Sequence, residues 1–291
     1  IRTVHKLRSK RYDIAINLCH LFTERGAKRM RLLMRTISAG KTLGRNTDGL
    51  GTFYDDWIFD SWEDPSYSGL HEVELNLDLV RHLGAEDPAE GLEFWIGEED
   101  RNSMQKVLAG EGVLGNRSHR MVLNPGGDAV YKRWPEEHFA VLGDLLIQKT
   151  GTEVIMVVSG GDRPMVDRII SRMERKPVNL AGKLSLLELA ALLETSDLMV
   201  TNDTGPMHLA AAVGTPVLAF FGPGRPGAPG KPGRYAPYGP DGFHVMMYRP
   251  VVCDRCIDFD CKERECLTKI LPGEVFEQVE HRLALKQEKY R

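Results

Sequence analysis

The sequence predicts an α/β protein with a doubly wound parallel sheet, and three observations carry that expectation. From residue 120 onward, apolar segments of strand length at 121–124, 153–158, 178–180, 198–201 and 217–221 alternate with segments of helical period near 136–149, 165–175, 186–193 and 207–213. The strand Val154-Ile155-Met156-Val157-Val158 is continuously apolar, the pattern of a strand buried on both faces. Local start and stop signals agree: Ser185 and Glu188 form a capping box, and Gly214 followed by Pro216 ends a helix. In such sheets ligands bind at the carboxyl ends of the strands.

The first part of the chain is less regular. Residues 1–11 read as the tail of a basic helix leading into a strand at 12–18, with Asp13 structural and Cys19 a buried apolar residue. Residues 24–37 have helical composition, 40–44 mark a break, and 46–68 read as a loop bordering a cleft. A helix follows at 71–83, with Val73, Leu75, Leu77, Leu79, Val80 and Leu83 apolar and Gly84 as its C-terminal stop. A strand at 92–96 and a helix at 98–108 come next. The glycines of 110–118 suggest a linker, giving two domains, 1–112 and 113–291. The Pro/Gly-rich stretch 223–242 is expected to be irregular, and a helix at 273–289 closes the chain.

With 291 residues, 42% hydrophobic and 27% charged, the chain can build two ordinary globular domains. Its net charge of −3 provides no general field for nucleic acid. Lys28, Arg29, Arg31 and Arg35 cluster locally and read as the solvated face of a helix. No apolar run approaches the roughly 20 residues that span a bilayer, and no secretory signal opens the chain. These features predict a cytoplasmic protein that at most touches a membrane surface.

The run 200–216, Val-Thr-Asn-Asp-Thr-Gly-Pro-Met-His-Leu-Ala-Ala-Ala-Val-Gly-Thr-Pro, is the most informative segment. It reads as a strand end, a tight turn and a helix start, with Pro206 at the first helical position and His208 in the first turn. Unpaired N–H groups and partial positive charge suit such a turn to an anion such as a diphosphate. The alternative is an ordinary turn capped by Asp203 or Thr204.

The segment resembles the signature of glycosyltransferase family 9, the heptosyltransferase-like enzymes of the two-domain GT-B fold, through Asp203, Thr204, Gly205 and His208. A second stretch, Val122-Leu123-Asn124-Pro125-Gly126-Gly127 and then Lys132 to Phe139, looks like the first loop of the same domain. The resemblance implies two Rossmann-like doubly wound domains facing a cleft, with a terminal helix that crosses back to the first domain. It implies an N-terminal domain that is incomplete here, because the family's opening strand and Gly-Asp loop have no counterpart. That loop carries the family's catalytic base, so no residue of this chain inherits that role.

The implied activity is an inverting transfer of a sugar, such as heptose from ADP-heptose, to a lipopolysaccharide-core or other surface-glycan acceptor. Without a metal, cations and backbone N–H groups must stabilise the departing diphosphate. The resemblance gives Lys132 the phosphate-contacting role and makes Asn124, Gly126, Gly127, Asp203, Thr204, Gly205 and His208 the donor-binding residues. It departs from the family at Gly127 and Asp128, where some members carry hydroxyl residues, and at 159–163, where Asp162 is a weak stand-in for a glutamate.

Cys253, Cys256, Cys261 and Cys266 have the spacing C-x2-C-x4-C-x4-C, which suits a zinc ion or an iron–sulfur cluster, with reduced structural thiols as the alternative. Two rival functions stand beside the transferase: a sugar-nucleotide epimerase on a related scaffold, and a non-catalytic nucleotide-sugar or metal-binding module.

Overall fold

The computed structural model describes residues 2–61, 64, 70–86, 91–113, 119–222, 232–249, 251, 261 and 263–289, without the side chains of 2–5 and 285–289. The chain divides into two compact units, Ile1–Ala89 with Gly227–Arg234, and Glu90–Pro226 with Tyr235–Arg291.

The first unit holds α1 (Arg2–Ser9), β1 (Ile14–Asn17), α2 (Glu24–Ile37), β2 (Lys41–Thr47), β3 (Asp56–Asp60) and α3 (Glu72–His82). Its strands form a parallel sheet in the order β1-β2-β3. Helix α2 begins where the Thr23 hydroxyl accepts from Gly26 N and ends at Ser38 in the left-handed region. Leu21, Ala27, Met34 and Tyr54 make the core.

Two strands replace what the sequence reads as a break and a loop. Gly44 is a strand glycine: a Cβ there would sit 2.5 Å from the Tyr54 ring, so its absence makes room for that ring. The Tyr54 hydroxyl in turn accepts from Asn17 Nδ2 at 2.8 Å. Among the described residues strand β3 is an edge strand, with Trp57 and Phe59 exposed, and residues 48–55 alone connect it to β2. Parallel neighbours normally need a crossover of about a dozen residues or more, so nothing in the spacing announced it. Cys19 is exposed rather than buried. The Asn17 side chain clasps the backbone of Cys19 from both sides, through Oδ1 to N at 3.1 Å and Nδ2 to O at 2.7 Å, and turns the chain there.

A charged cluster fills the polar interior of this unit. His20 Nδ1 lies 3.2 Å from Asp60 Oδ2, and its Nε2 faces Glu72 Oε1 at 3.4 Å and Arg234 Nη2 at 2.6 Å. Arg234 Nε also donates to Glu72 Oε2 at 2.9 Å, and the fully buried Arg45 reaches Asp60 at 3.4 Å. Arg234 comes from the Pro/Gly-rich stretch, where 232–235 form a single tight helical turn.

The second unit contains α4 (Glu98–Gly110), β4 (Arg120–Asn124), α5 (Glu136–Thr150), β5 (Glu153–Met156), α6 (Arg163–Arg172), β6 (Val178–Asn179) and α7 (Leu186–Glu194). It continues with β7 (Leu198–Asn202), α8 (Gly205–Ala212), β8 (Val217–Phe221), β9 (Val245–Tyr248), α9 (Glu265–Thr268) and α10 (Pro272–Lys289). The sheet is wholly parallel in the order β6-β5-β4-β7-β8-β9. Read from β4, this is the doubly wound order whose direction reverses between β4 and β7. Strand β9 was not legible: His-Val-Met-Met-Tyr follows a long irregular stretch, and its pairing is tied off where Val217 N donates to His244 Nδ1 at 3.2 Å.

The predicted two-faced burial is realised residue by residue. Met121, Leu123, Val154, Met156, Val200, Leu218 and Phe220 enter one core with Trp134, Phe139 and Leu142. Val122, Ile155, Met199, Val217 and Ala219 enter the other with Leu192, Leu193 and Met207. The Ser185–Glu188 capping box opens α7 as expected.

Segment 92–96 alternates in burial, with Phe94 and Ile96 against the second core, but joins no sheet ladder among the described residues. Helix α4 belongs to the second unit. Met104 and Leu108 enter that core, Arg101 pairs with Glu194 at 2.7 and 2.8 Å, and Ser103 donates to Glu188 at 2.6 Å. The units therefore divide at 89/90, whereas the expected boundary at 112/113 falls after this helix. Helix α10 lies wholly within the second unit, where Val275, Val279 and Leu283 enter the first core.

Candidate functional site

The two loops singled out in the sequence leave the carboxyl ends of β4 and β7, adjacent strands in which Asn124 pairs with Thr201. They therefore meet at the point where the strand order reverses, the usual ligand position in this architecture.

The buried Asn124 side chain stitches the loops together. Its Nδ2 donates to Thr201 Oγ1 at 3.0 Å and Thr204 Oγ1 at 3.2 Å, while Oδ1 accepts from Gly126 N at 3.3 Å. Thr204 occupies the position before α8 in extended conformation but makes no side-chain cap. Its hydroxyl faces Asn124 and Thr201 instead, which differs from an ordinary Thr204-capped turn. Gly205 is exposed, with open space where a side chain would be, and His208 sits half-buried in the first turn of α8.

Lys132 ends a short helical turn, Val130–Lys132, and its Nζ lies 3.0 Å from Asp203 Oδ2. Burial lowers the pKa of this ammonium, but the Asp203 charge and hydrogen bond outweigh it and the net shift is upward. Lys132 is thus a fixed cation, and its side chain is still 40% exposed. The residues read from the sequence for the donor site lie at the end of β4, on these two loops or in the first turn of α8.

Three residues that hold the site together were missed. Arg133 donates from Nε to Gly127 O at 2.9 Å and from Nη2 to Asp162 Oδ1 at 3.2 Å, which brings Asp162 to the Gly127 turn. Asn202 donates to Pro125 O at 2.8 Å and Gly126 O at 2.9 Å, and accepts from Trp134 N at 2.8 Å. Trp134 stacks on Phe220 with ring centroids 4.3 Å apart and donates from Nε1 to Ile270 O at 2.9 Å. The available signal for Asn202 was a polar residue ending an otherwise apolar strand.

Of the cysteine set, Cys253 and Cys256 lie outside the described residues. Cys261 Sγ accepts from Arg264 N at 3.4 Å, and Cys266 is buried in the first core. Among the described residues, no group of three or more His, Cys, Asp or Glu is placed to hold a metal ion. Lys28, Arg29, Arg31 and Arg35 are all exposed on α2, the solvated face expected of them. No helix among the described residues is long and apolar enough to cross a membrane.

Chemically, the site offers a cation, an exposed glycine at a helix start and a carboxylate around one strand junction. That set can hold a polyanion carrying a hydroxylated group. A family model for glycosyltransferase family 9 (heptosyltransferase) matches residues 1–264. Lipopolysaccharide heptosyltransferase 3 of Escherichia coli (strain K12) is 30% identical over 222 residues, covering 75% of this chain and 61% of that protein. Lipopolysaccharide heptosyltransferase 2 of Salmonella typhimurium (strain LT2) is 35% identical over 227 residues, covering 76% of this chain and 63% of that protein. The chain therefore spans less than two thirds of the length of these relatives.

Among solved structures, the glycosyl transferase family 9 protein from Veillonella parvula DSM 2008 is similar with a TM-score of 0.76 at 25% identity, over 97% of this chain and 77% of that one. E. coli ADP-heptose lps heptosyltransferase II, at 20% identity, shares the fold with a TM-score of 0.72 over 98% of this chain and 81% of that one.

Proposed function

Because the chain belongs to glycosyltransferase family 9, we propose that it is an inverting glycosyltransferase taking a sugar from a nucleoside-diphosphate donor. The observation that carries this reading is the juxtaposition of Lys132, 3.0 Å from Asp203, with the Gly126–Gly127 turn and the uncapped start of α8. A leaving diphosphate acquires charge as the glycosidic bond breaks. Lys132 and the backbone donors of Gly127 and Gly205 stabilise that charge, and Asp203 and His208 hold the sugar hydroxyls.

ADP-heptose is the donor we propose and a lipopolysaccharide-core glycan the acceptor, since the curated relatives are lipopolysaccharide heptosyltransferases. The chemistry needs no metal in this scheme, and the packing of Cys266 in the apolar core fits a reduced structural thiol. An acceptor anchored in lipid implies work at the cytoplasmic face of the inner membrane. The exposed basic residues of α2, with Leu32 exposed among them, suit an anionic surface. Co-sedimentation with anionic vesicles that is lost at high salt checks this contact.

Calorimetry with ADP, followed by transfer of radiolabelled sugar from ADP-heptose to a heptose-deficient core acceptor, tests the function. Binding of ADP with label appearing in the acceptor is the expected result. Failure of ADP and of every other nucleoside diphosphate to bind would remove it.

A further inference from the structure

We infer that Asn202 is a positioning residue that aims the Gly127 amide N–H at the donor diphosphate, an inference that rests on the donor site proposed above. Its side chain is fully buried at the end of β7, so it acts without touching the ligand. Both hydrogens of its amide are committed, one to Pro125 O at 2.8 Å and one to Gly126 O at 2.9 Å.

In a trans peptide the C=O and N–H of one unit point in opposite directions. Drawing the Gly126 carbonyl inward therefore turns the N–H of the same unit, that of Gly127, outward. The preceding N–H, that of Gly126, is taken up by Asn124 Oδ1 at 3.3 Å. The Gly127 N–H has no protein acceptor among the described residues. Gly127 itself lies beside the start of α8, since a Cβ built on it would lie 3.7 Å from Thr204 Cγ2.

The same side chain fixes the cationic partner. Asn202 Oδ1 accepts from Trp134 N at 2.8 Å, two residues beyond Lys132, so the turn that carries Lys132 and the glycine turn share one anchor. An aspartate here would place carboxylate oxygen against two carbonyl oxygens and release the Gly126–Gly127 peptide to rotate.

The test begins with the wild-type chain. On titration with inorganic pyrophosphate and then ADP, the Gly127 amide proton should move downfield and saturate with the same dissociation constant as binding. Asn202→Asp should lose roughly tenfold to a hundredfold in ADP affinity while its affinity for adenosine, which lacks phosphates, is unchanged. If neither pyrophosphate nor ADP binds the wild type, the donor-site reading fails and this inference with it. If both bind in a Lys132-dependent way but the Gly127 amide does not respond, or if Asn202→Asp loses ADP and adenosine equally, Asn202 is only structural. The inference is then overturned while the donor site stands. Should Asn202→Asp fail to fold, the wild-type titration decides alone.

Discussion

Lys132 Nζ and Asp203 Oδ2, 71 residues apart in the chain, lie 3.0 Å from each other and join the turns that follow β4 and β7. The pair holds a cation at the junction where a diphosphate is proposed to bind, and it leaves that cation accessible.

Replacing this lysine should therefore weaken donor binding. Lys132→Ala removes a hydrogen bond to a charged group and is expected to cost about 1.5 to 3 kcal/mol of ADP affinity. The fold should persist, because the side chain is partly exposed. Unchanged ADP affinity by calorimetry would remove Lys132 from the site.

Trp134 anchors the Lys132 turn to the core. Its indole is 1% exposed, stacked on Phe220 and hydrogen-bonded to Ile270 O. Trp134→Ala should destabilise the second unit by about 3 to 5 kcal/mol, as large-to-small changes in packed cores do. Thermal melts and denaturant titrations read the loss directly, and a shift below 1 kcal/mol would contradict the packing described.

His244 predicts sensitivity to acid. Burial pushes its pKa down to about 4, and its Nδ1 accepts from Val217 N at the start of the β8–β9 pair. A depressed folded pKa means that the stabilisation is present above the unfolded value, near 6.5, and is lost as pH falls toward 4. At most about 3 kcal/mol is involved. His244→Phe should flatten the fall in stability between pH 6.5 and 4; an equally steep fall would assign it to other groups.

His20 predicts the opposite limb in the first unit. Burial lowers its pKa, but the hydrogen bonds to Asp60 and Glu72 outweigh burial and the net shift is upward. Asp60 and Glu72 are themselves buried, which raises them, and are brought below their ordinary values chiefly by His20. The histidine's contribution is complete below about pH 6.5 and is lost as pH rises through its folded value. The carboxylates' contribution is present above about pH 4 and is lost on acidification. The melting-temperature gap between wild type and His20→Gln should be widest near about pH 5 to 6 and narrow toward pH 9. A gap that widens with alkali would refute the raised pKa.

Much of the second unit was legible because its strands are buried on both faces. A run such as 154–158 states its own environment, and capping residues such as Ser185 and Glu188 mark helix ends through contacts three residues long. The residues proposed for the donor site, Lys132, Asp203, Thr204 and Gly205, stand out in the sequence through the family resemblance and because cations, glycines and hydroxyls near a helix start suit anions.

Other features were decided only in three dimensions. Strand β2 was hidden because Gly44 reads as a break until the Tyr54 ring is seen where its Cβ would be. The membership of α4 depended on Arg101 and Ser103 meeting residues 93 and 85 positions away. Asn202 likewise looks like any strand-end asparagine until Pro125, Gly126 and Trp134 surround it, across separations of 68 to 77 residues. Periodicity and caps report on neighbours within a turn or two, so the sequence by itself determined the doubly buried strands β4, β5, β7 and β8, the helices between them and the chemical groups they carry. Which distant backbone groups share one buried amide is fixed only when the sheet brings β4 and β7 side by side, and tertiary structure therefore decided how the site is held.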